Sequence, residues 1–296
     1  MKTILVATDF SDAAHNAALY AAELAKAFNA RLILFNAYQQ VPVPVSEAPA
    51  IPSLEELHLQ AQQKLEEEAQ IISAAGVLNV GISSKAGFVS DAILKTAEGV
   101  HADVIVAGMK KSGKGMRRFF GSVVTALVRK LNMPLIVVPE DVKYSPITTI
   151  ALANETDIAP ETDKHILDTI RELGEKFNSR LYLIRVAKNK LAEAWQMLNS
   201  PFRITRLLRT LDPVYKCIEG RDISKALNEF NAAYHVNMLA LLPQRHSLVD
   251  RWFIKSNTRA MIFETPFPLL ILPQIHKKES EFEVSDRTDP QNIPLA

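Results

Sequence analysis

The chain predicts an α/β fold built twice, as two domains that each carry a mostly parallel five-stranded sheet and pack together as an intramolecular pseudo-dimer. Three observations carry this expectation. First, the segment RRFFGSVVTALVRKLNMPLIVVP, Arg117 to Pro139, returns as RWFIKSNTRAMIFETPFPLLILP, Arg251 to Pro273, at an offset of 134 residues. Second, TILVATD at Thr3 to Asp9 is answered by TIALANE at Thr149 to Glu155, and FNARLILFNA at Phe28 to Ala37 by FNSRLYLIRV at Phe177 to Val186. Third, short β-branched runs in the first half alternate with helix-period segments. Such alternation calls for right-handed crossovers and a sheet covered on both faces. A period of about 140 residues is too long for a solenoid repeat and fits whole domains. Residues 1–143 and 147–275 form the two units, and 277–296 form a charged tail expected to be mobile.

Each element of the first half follows from local pattern. Ile4 to Val6 reads as a buried strand, and Ser11 as the N-cap of a helix whose Ala17, Ala21, Leu24 and Phe28 share one face. Leu32 to Ala37 is a second strand, and the prolines between Val41 and Pro52 make a loop. From Ser53, the spacing of Leu54, Leu57, Leu65, Ala69 and Ile72 predicts a long amphipathic helix. Strand 80–84, helix 88–98, strand 103–107, helix 122–131 and strand 134–138 complete the alternation. The last strand of each half is apolar and bounded by prolines, Pro134 to Pro139 and Pro268 to Pro273. Uncovered edges of this kind need a partner, so the two strands are expected to meet across a pseudo-twofold axis.

Composition narrows the function. With 34 basic against 33 acidic residues, the chain is not built to coat nucleic acid or an anionic membrane. No apolar run approaches the roughly 18 residues that cross a bilayer. Acidic residues follow the short apolar start at once, unlike a signal peptide, so a cytoplasmic location is expected. Cys217 is the single cysteine and reads as a buried, unreactive thiol. The seven histidines show no metal-ligand spacing and no Gly-x-Ser-x-Gly elbow occurs, so the chain reads as no enzyme, with at most slow, incidental nucleotide hydrolysis.

A small-molecule site in such a sheet forms in the loops that leave the carboxyl ends of the strands. Here these are Ala7 to Asp12, Ala37 onward, Gly87 to Ser90 and Gly108 to Ser122. The last nearly spells a P-loop between Gly108 and Gly115. However, Gly115 stands where a hydroxyl should hold magnesium, and the following helix starts only at Ser122.

Ala7-Thr8-Asp9, Gly87 with Ile93, Gly108, Gly121-Ser122 and the closing Pro-Leu-Ile-Val-Val-Pro strand together resemble the universal stress protein family, in its tandem two-domain form. The resemblance implies Rossmann-like or flavodoxin-like domains of the adenine nucleotide alpha hydrolase type and a role in stress response by binding. ATP-binding relatives carry G-x2-G-x9-G-[ST]; this chain matches at Gly108, Gly121 and Ser122, while Lys111 replaces the second glycine. That replacement restricts the backbone but adds a cation that can pair with phosphate.

The implied ligand is ATP with magnesium, held in the first domain only. Asp9 would meet the ribose or a metal-bound triphosphate, Ala7 and Ala37 the adenine, and Gly121 and Ser122 the phosphates; Thr8, Gly108, Lys111 and Val123 complete the set. The residues themselves leave plainer roles open: Asp9 as a turn carboxylate beside Ser11, Ser122 as an N-cap, and the loop bearing Lys110, Lys114, Arg117 and Arg118 as a solvated basic loop or a seat for another anion or an acidic partner. In the second domain Asn154-Glu155, Leu242-Pro243 and Lys255 stand at the corresponding positions, so it is expected not to bind. Trp195 to Leu211 reads as a covering helix and loop. The alternative function is a ligand-free interaction scaffold; a further homodimer and unknown protein partners stay open.

Overall fold

The structure, a computed structural model, describes residues 1–39, 52–110, 122–153, 164–187, 202–220, 223–242 and 267–273. In the first half the order is β1 (Thr3–Ala7), α1 (Asp12–Phe28), β2 (Arg31–Tyr38), α2 (Leu54–Ala74), β3 (Val80–Ala86), α3 (Val89–Gly99), β4 (Val104–Met109), α4 (Ser122–Lys130) and β5 (Leu135–Pro139). The second half runs β6 (Thr149–Ala153), a 3-10 turn at Lys164–Leu167, α5 (Asp168–Phe177), β7 (Arg180–Ala187), α6 (Phe202–Leu207), β8 (Val214–Glu219), α7 (Ile223–Tyr234), β9 (Met238–Leu241) and β10 (Leu269–Ile271).

All ten strands lie in one sheet, ordered β3-β2-β1-β4-β5-β10-β9-β6-β7-β8. Read outward from the centre, each half has the same strand order. Every neighbouring pair is parallel except the central one, β5 with β10, which is antiparallel with Ile136 opposite Leu270. The meeting of the two proline-bounded strands follows the expectation from sequence. Leu135, Ile136, Val137, Leu269, Leu270 and Ile271 are all fully buried, so the seam is continuous core rather than a wet contact.

The repeated blocks have local physical reasons. Asn29 and Asn178 end α1 and α5 in the left-handed conformation, which asparagine tolerates and which turns the chain directly into β2 and β7. His101 and His235 take the same conformation before β4 and β9. Two residues on, Asp103 accepts from the amides of Lys2 and Thr3, and Asn237 from those of Thr148 and Thr149. In each half, one side chain thus ties the start of the fourth strand to the start of the first.

Alternate strand residues feed two core layers. Ile4, Val6, Leu32 and Leu34 pack beneath α1 and α2, together with Ile150, Leu152 and Leu270 of the second half. Leu5, Ile33, Phe35 and Ile105 pack on the opposite face with α3 and α4. Ser53 caps α2 in a reciprocal capping box with Glu56.

Three sequence expectations are corrected. Leu54, in the first turn of α2, is 48% exposed; Ala61, Leu65 and Ile72 supply the buried face. Phe202 in α6 is 69% exposed, while Ile204 and Leu208 cover the core. Cys217 is half-buried on β8, which borders only β7 among the described residues. Trp195 and the tail lie outside the described residues, as do Lys111, Lys114, Arg117, Arg118, Gly121, Asn154, Glu155, Pro243 and Lys255. Among the described residues no helix is long and apolar enough to cross a membrane.

Candidate functional site

The first half has a cleft of about 440 Å³ at the carboxyl ends of β1, β2 and β4, within the range of small-molecule sites. β1 leads out of the core into Thr8 and Asp9, and the turn that follows is tightly determined. The buried Asn36 amide donates to the Thr8 carbonyl at 2.8 Å, the Thr8 amide donates to the Phe35 carbonyl, and the Phe10 amide donates to the Thr8 hydroxyl. Phe10 is held at φ 61°, an unusual conformation for a bulky side chain. Ser11 then caps α1, its hydroxyl accepting from the Ala14 amide at 3.4 Å.

Asp9 receives the amide and hydroxyl of Ser11 on Oδ1, while Oδ2 lies 3.6 Å from Lys110 Nζ. Its partial burial would raise its pKa. The Ser11 hydrogen bonds, with the Lys110 charge, outweigh that and hold the carboxyl below the usual carboxylate range.

The walls divide by chemistry. Ala7, Phe35, Ala37, Val89, Ile93, Ala107, Val123 and Val124 make an apolar slot, whereas Thr8, Asp9, Ser11 and Lys110 form a polar mouth. The first turns of three helices border the cleft: Ala13 and Ala14 of α1, Val89 of α3, and Val123 and Val124 of α4. The N-cap of α3, Phe88, makes no side-chain cap hydrogen bond. Helix N-termini present amide hydrogens and positive potential, so this end of the cleft favours an anion.

Of the residues expected from sequence, Ala7, Thr8, Asp9, Ala37, Gly108 and Val123 line this one cleft. Ser122 begins α4, with its side chain outside the described residues along with Lys111 and Gly121. Gly108 has a reason of its own. A Cβ there would lie 2.3 Å from the Ala13 carbonyl oxygen and 2.7 Å from the Ala14 amide nitrogen, so β4 and α1 approach as only glycine permits. Sequence reasoning missed Asn36 as a site residue and read Lys110 only as one member of a basic loop. The signal for Asn36 was a polar residue inside an otherwise apolar strand.

No three His, Cys, Asp or Glu side chains among the described residues gather to hold a metal. Among the described residues Asp9 is the one carboxylate lining the cleft.

A doubly repeated parallel sheet with a cleft at its strand carboxyl ends defines a doubly wound α/β protein. The model of the universal stress protein family matches residues 1–139. A universal stress protein of Thermus aquaticus, named for the QAH/OAS sulfhydrylase 3′ region, is 34% identical over 137 residues, which is 46% of this chain and 98% of that protein. The chain belongs to the universal stress protein family. Its whole fold is similar to that of a universal stress protein from Archaeoglobus fulgidus, with a TM-score of 0.68, 16% identity, and 92% of this chain and 98% of that one covered. A universal stress protein solved in complex with cAMP is 26% identical, covering 46% of this chain and 96% of its own, with a TM-score of 0.36.

Proposed function

We propose that this protein acts in stress response by binding rather than by turnover, and that its first domain, residues 1–143, takes an adenine nucleotide such as ATP with its magnesium. The observation that carries the reading is the split cleft: an apolar slot fitted to a flat base, opening on Thr8, Asp9, Lys110 and three helix N-termini fitted to ribose and phosphate. Ala7, Thr8, Asp9, Ala37, Gly108, Lys111, Gly121, Ser122 and Val123 form the binding set. The second domain, residues 147–275, does not bind. In support, the buried Arg185 of β7 stands in the repeat where β2 has Asn36, so a bulky cation replaces the neutral amide at that position. A protein responding to free nucleotide works in the cytoplasm.

Extraction of the purified, undialysed protein followed by chromatography tests for co-purifying nucleotide, and calorimetry with ATP and magnesium measures affinity. One binding site per chain is expected. Neither carried nucleotide nor heat up to millimolar ATP would favour a second reading, a ligand-free scaffold. Two observations lean that way: the tight α1–β4 approach explains Gly108 without a ligand, and the Ser11 hydrogen bonds explain Asp9.

A further inference from the structure

We infer that Lys110 is a specificity-determining residue of this cleft, which selects phosphorylated nucleosides over nucleosides by exchanging its partner from Asp9 to the ligand's phosphate. The inference rests on the nucleotide reading above. Lys110 follows β4 directly and is the sole cation among the described residues lining the cleft; Asp9 is the sole anion. They face each other at 3.6 Å, with 65% and 66% of their side chains exposed.

A pair that open to solvent contributes little to stability and is easily broken. Each partner then has a better use. A phosphate offers the ammonium a stronger, charge-assisted contact beside helix N-termini, and the released Asp9 Oδ2 can accept from a ribose hydroxyl. Oδ1 remains fixed by Ser11 throughout, so the carboxylate stays oriented while its partner changes. A nucleoside without phosphate must break the same pair and leaves Lys110 with no compensating contact. Breaking the pair costs both ligands alike, and only a phosphate offsets that cost, so Lys110 sets the preference for nucleotides.

The exchange makes the two ligands respond oppositely to one substitution, which loss of a merely structural contact would not do. The test is calorimetry of the full chain with adenosine and with ADP, for wild type, Lys110→Met, Lys110→Gln and Asp9→Asn. Removing the ammonium is expected to weaken ADP by about tenfold or more, while adenosine binds as well as before or up to about fivefold tighter. Asp9→Asn removes the pair that both ligands must break, so the preference for ADP over adenosine should be kept, because Lys110 still meets the phosphate. ADP affinity should also fall less steeply with salt in the Lys110 variants than in wild type. Adenosine binding with an unchanged preference for ADP in both Lys110 variants overturns the exchange alone. Equal weakening of both ligands overturns it as well. Wild-type protein that binds neither ligand overturns the nucleotide reading and the exchange together.

Discussion

Gly108→Ala is the perturbation whose cost follows most directly from the geometry. The added methyl would sit 2.3 Å from the Ala13 carbonyl oxygen, 2.4 Å from its carbon and 2.7 Å from the Ala14 nitrogen. Reaching even 3.0 Å requires the N-terminal turn of α1 and β4 to part by about 0.7 Å. A gap of that size forfeits roughly a quarter to a half of each dispersion contact it opens. The obstructing atoms are backbone and cannot turn aside as a side chain would. Overpacking costs about 1–3 kcal/mol, and this site belongs at the upper end, about 3 kcal/mol. Urea denaturation followed by circular dichroism measures it as a fall in the midpoint at unchanged slope. Gly99→Ala serves as the control: nothing lies within 4 Å of its Cβ position at the end of α3, and the change should be neutral or stabilising by up to about 1 kcal/mol. If Gly108→Ala matched wild type in stability and lost only nucleotide affinity, the close-approach argument would be wrong, and the glycine would serve the ligand.

Three further outcomes are expected. Asn36→Leu leaves the buried Thr8 carbonyl without its donor and should cost about 1–3 kcal/mol together with nucleotide affinity; unchanged binding and stability would show that the turn holds without it. In a Cys217→Ser background, Ile136→Cys with Leu270→Cys should cross-link under mild oxidation, because the two are directly opposed on one face. Ile136→Cys with Leu269→Cys should not, since Leu269 faces the other core layer; cross-linking of that pair instead would overturn the register. Burial first, and the neighbouring Tyr144 second, push the Tyr20 hydroxyl well above its ordinary value. A pKa raised in the folded state contributes stability that is fully present below the unfolded value of about 10 and lost as pH rises beyond it. Tyr20→Phe should therefore flatten the alkaline limb of a stability profile between about pH 10 and 12; parallel profiles would contradict the shift.

The sequence by itself determined the duplication, the alternation of strands and helices, and the seam. These are legible because they rest on local rules: β-branched runs for buried parallel strands, Ser11 as the cap of α1, and proline-bounded apolar edges that need cover. Most of the candidate cleft was legible for a related reason, since parallel topology gathers the loops after β1, β2 and β4 at one end of the sheet. Tertiary structure alone decided what those residues meet. Gly108 adjoins the backbone of Ala13 and Ala14 in the first turn of α1, more than ninety residues earlier in the chain. Asn36 reaches across to Thr8, and Lys110 comes to face Asp9, both through strand neighbours distant in sequence. The exposure of Leu54 and Phe202 is likewise a tertiary outcome, which periodicity does not encode. Local pattern reports the face a residue prefers, whereas its partners are set by the register between elements, and that register exists only once the whole sheet has formed.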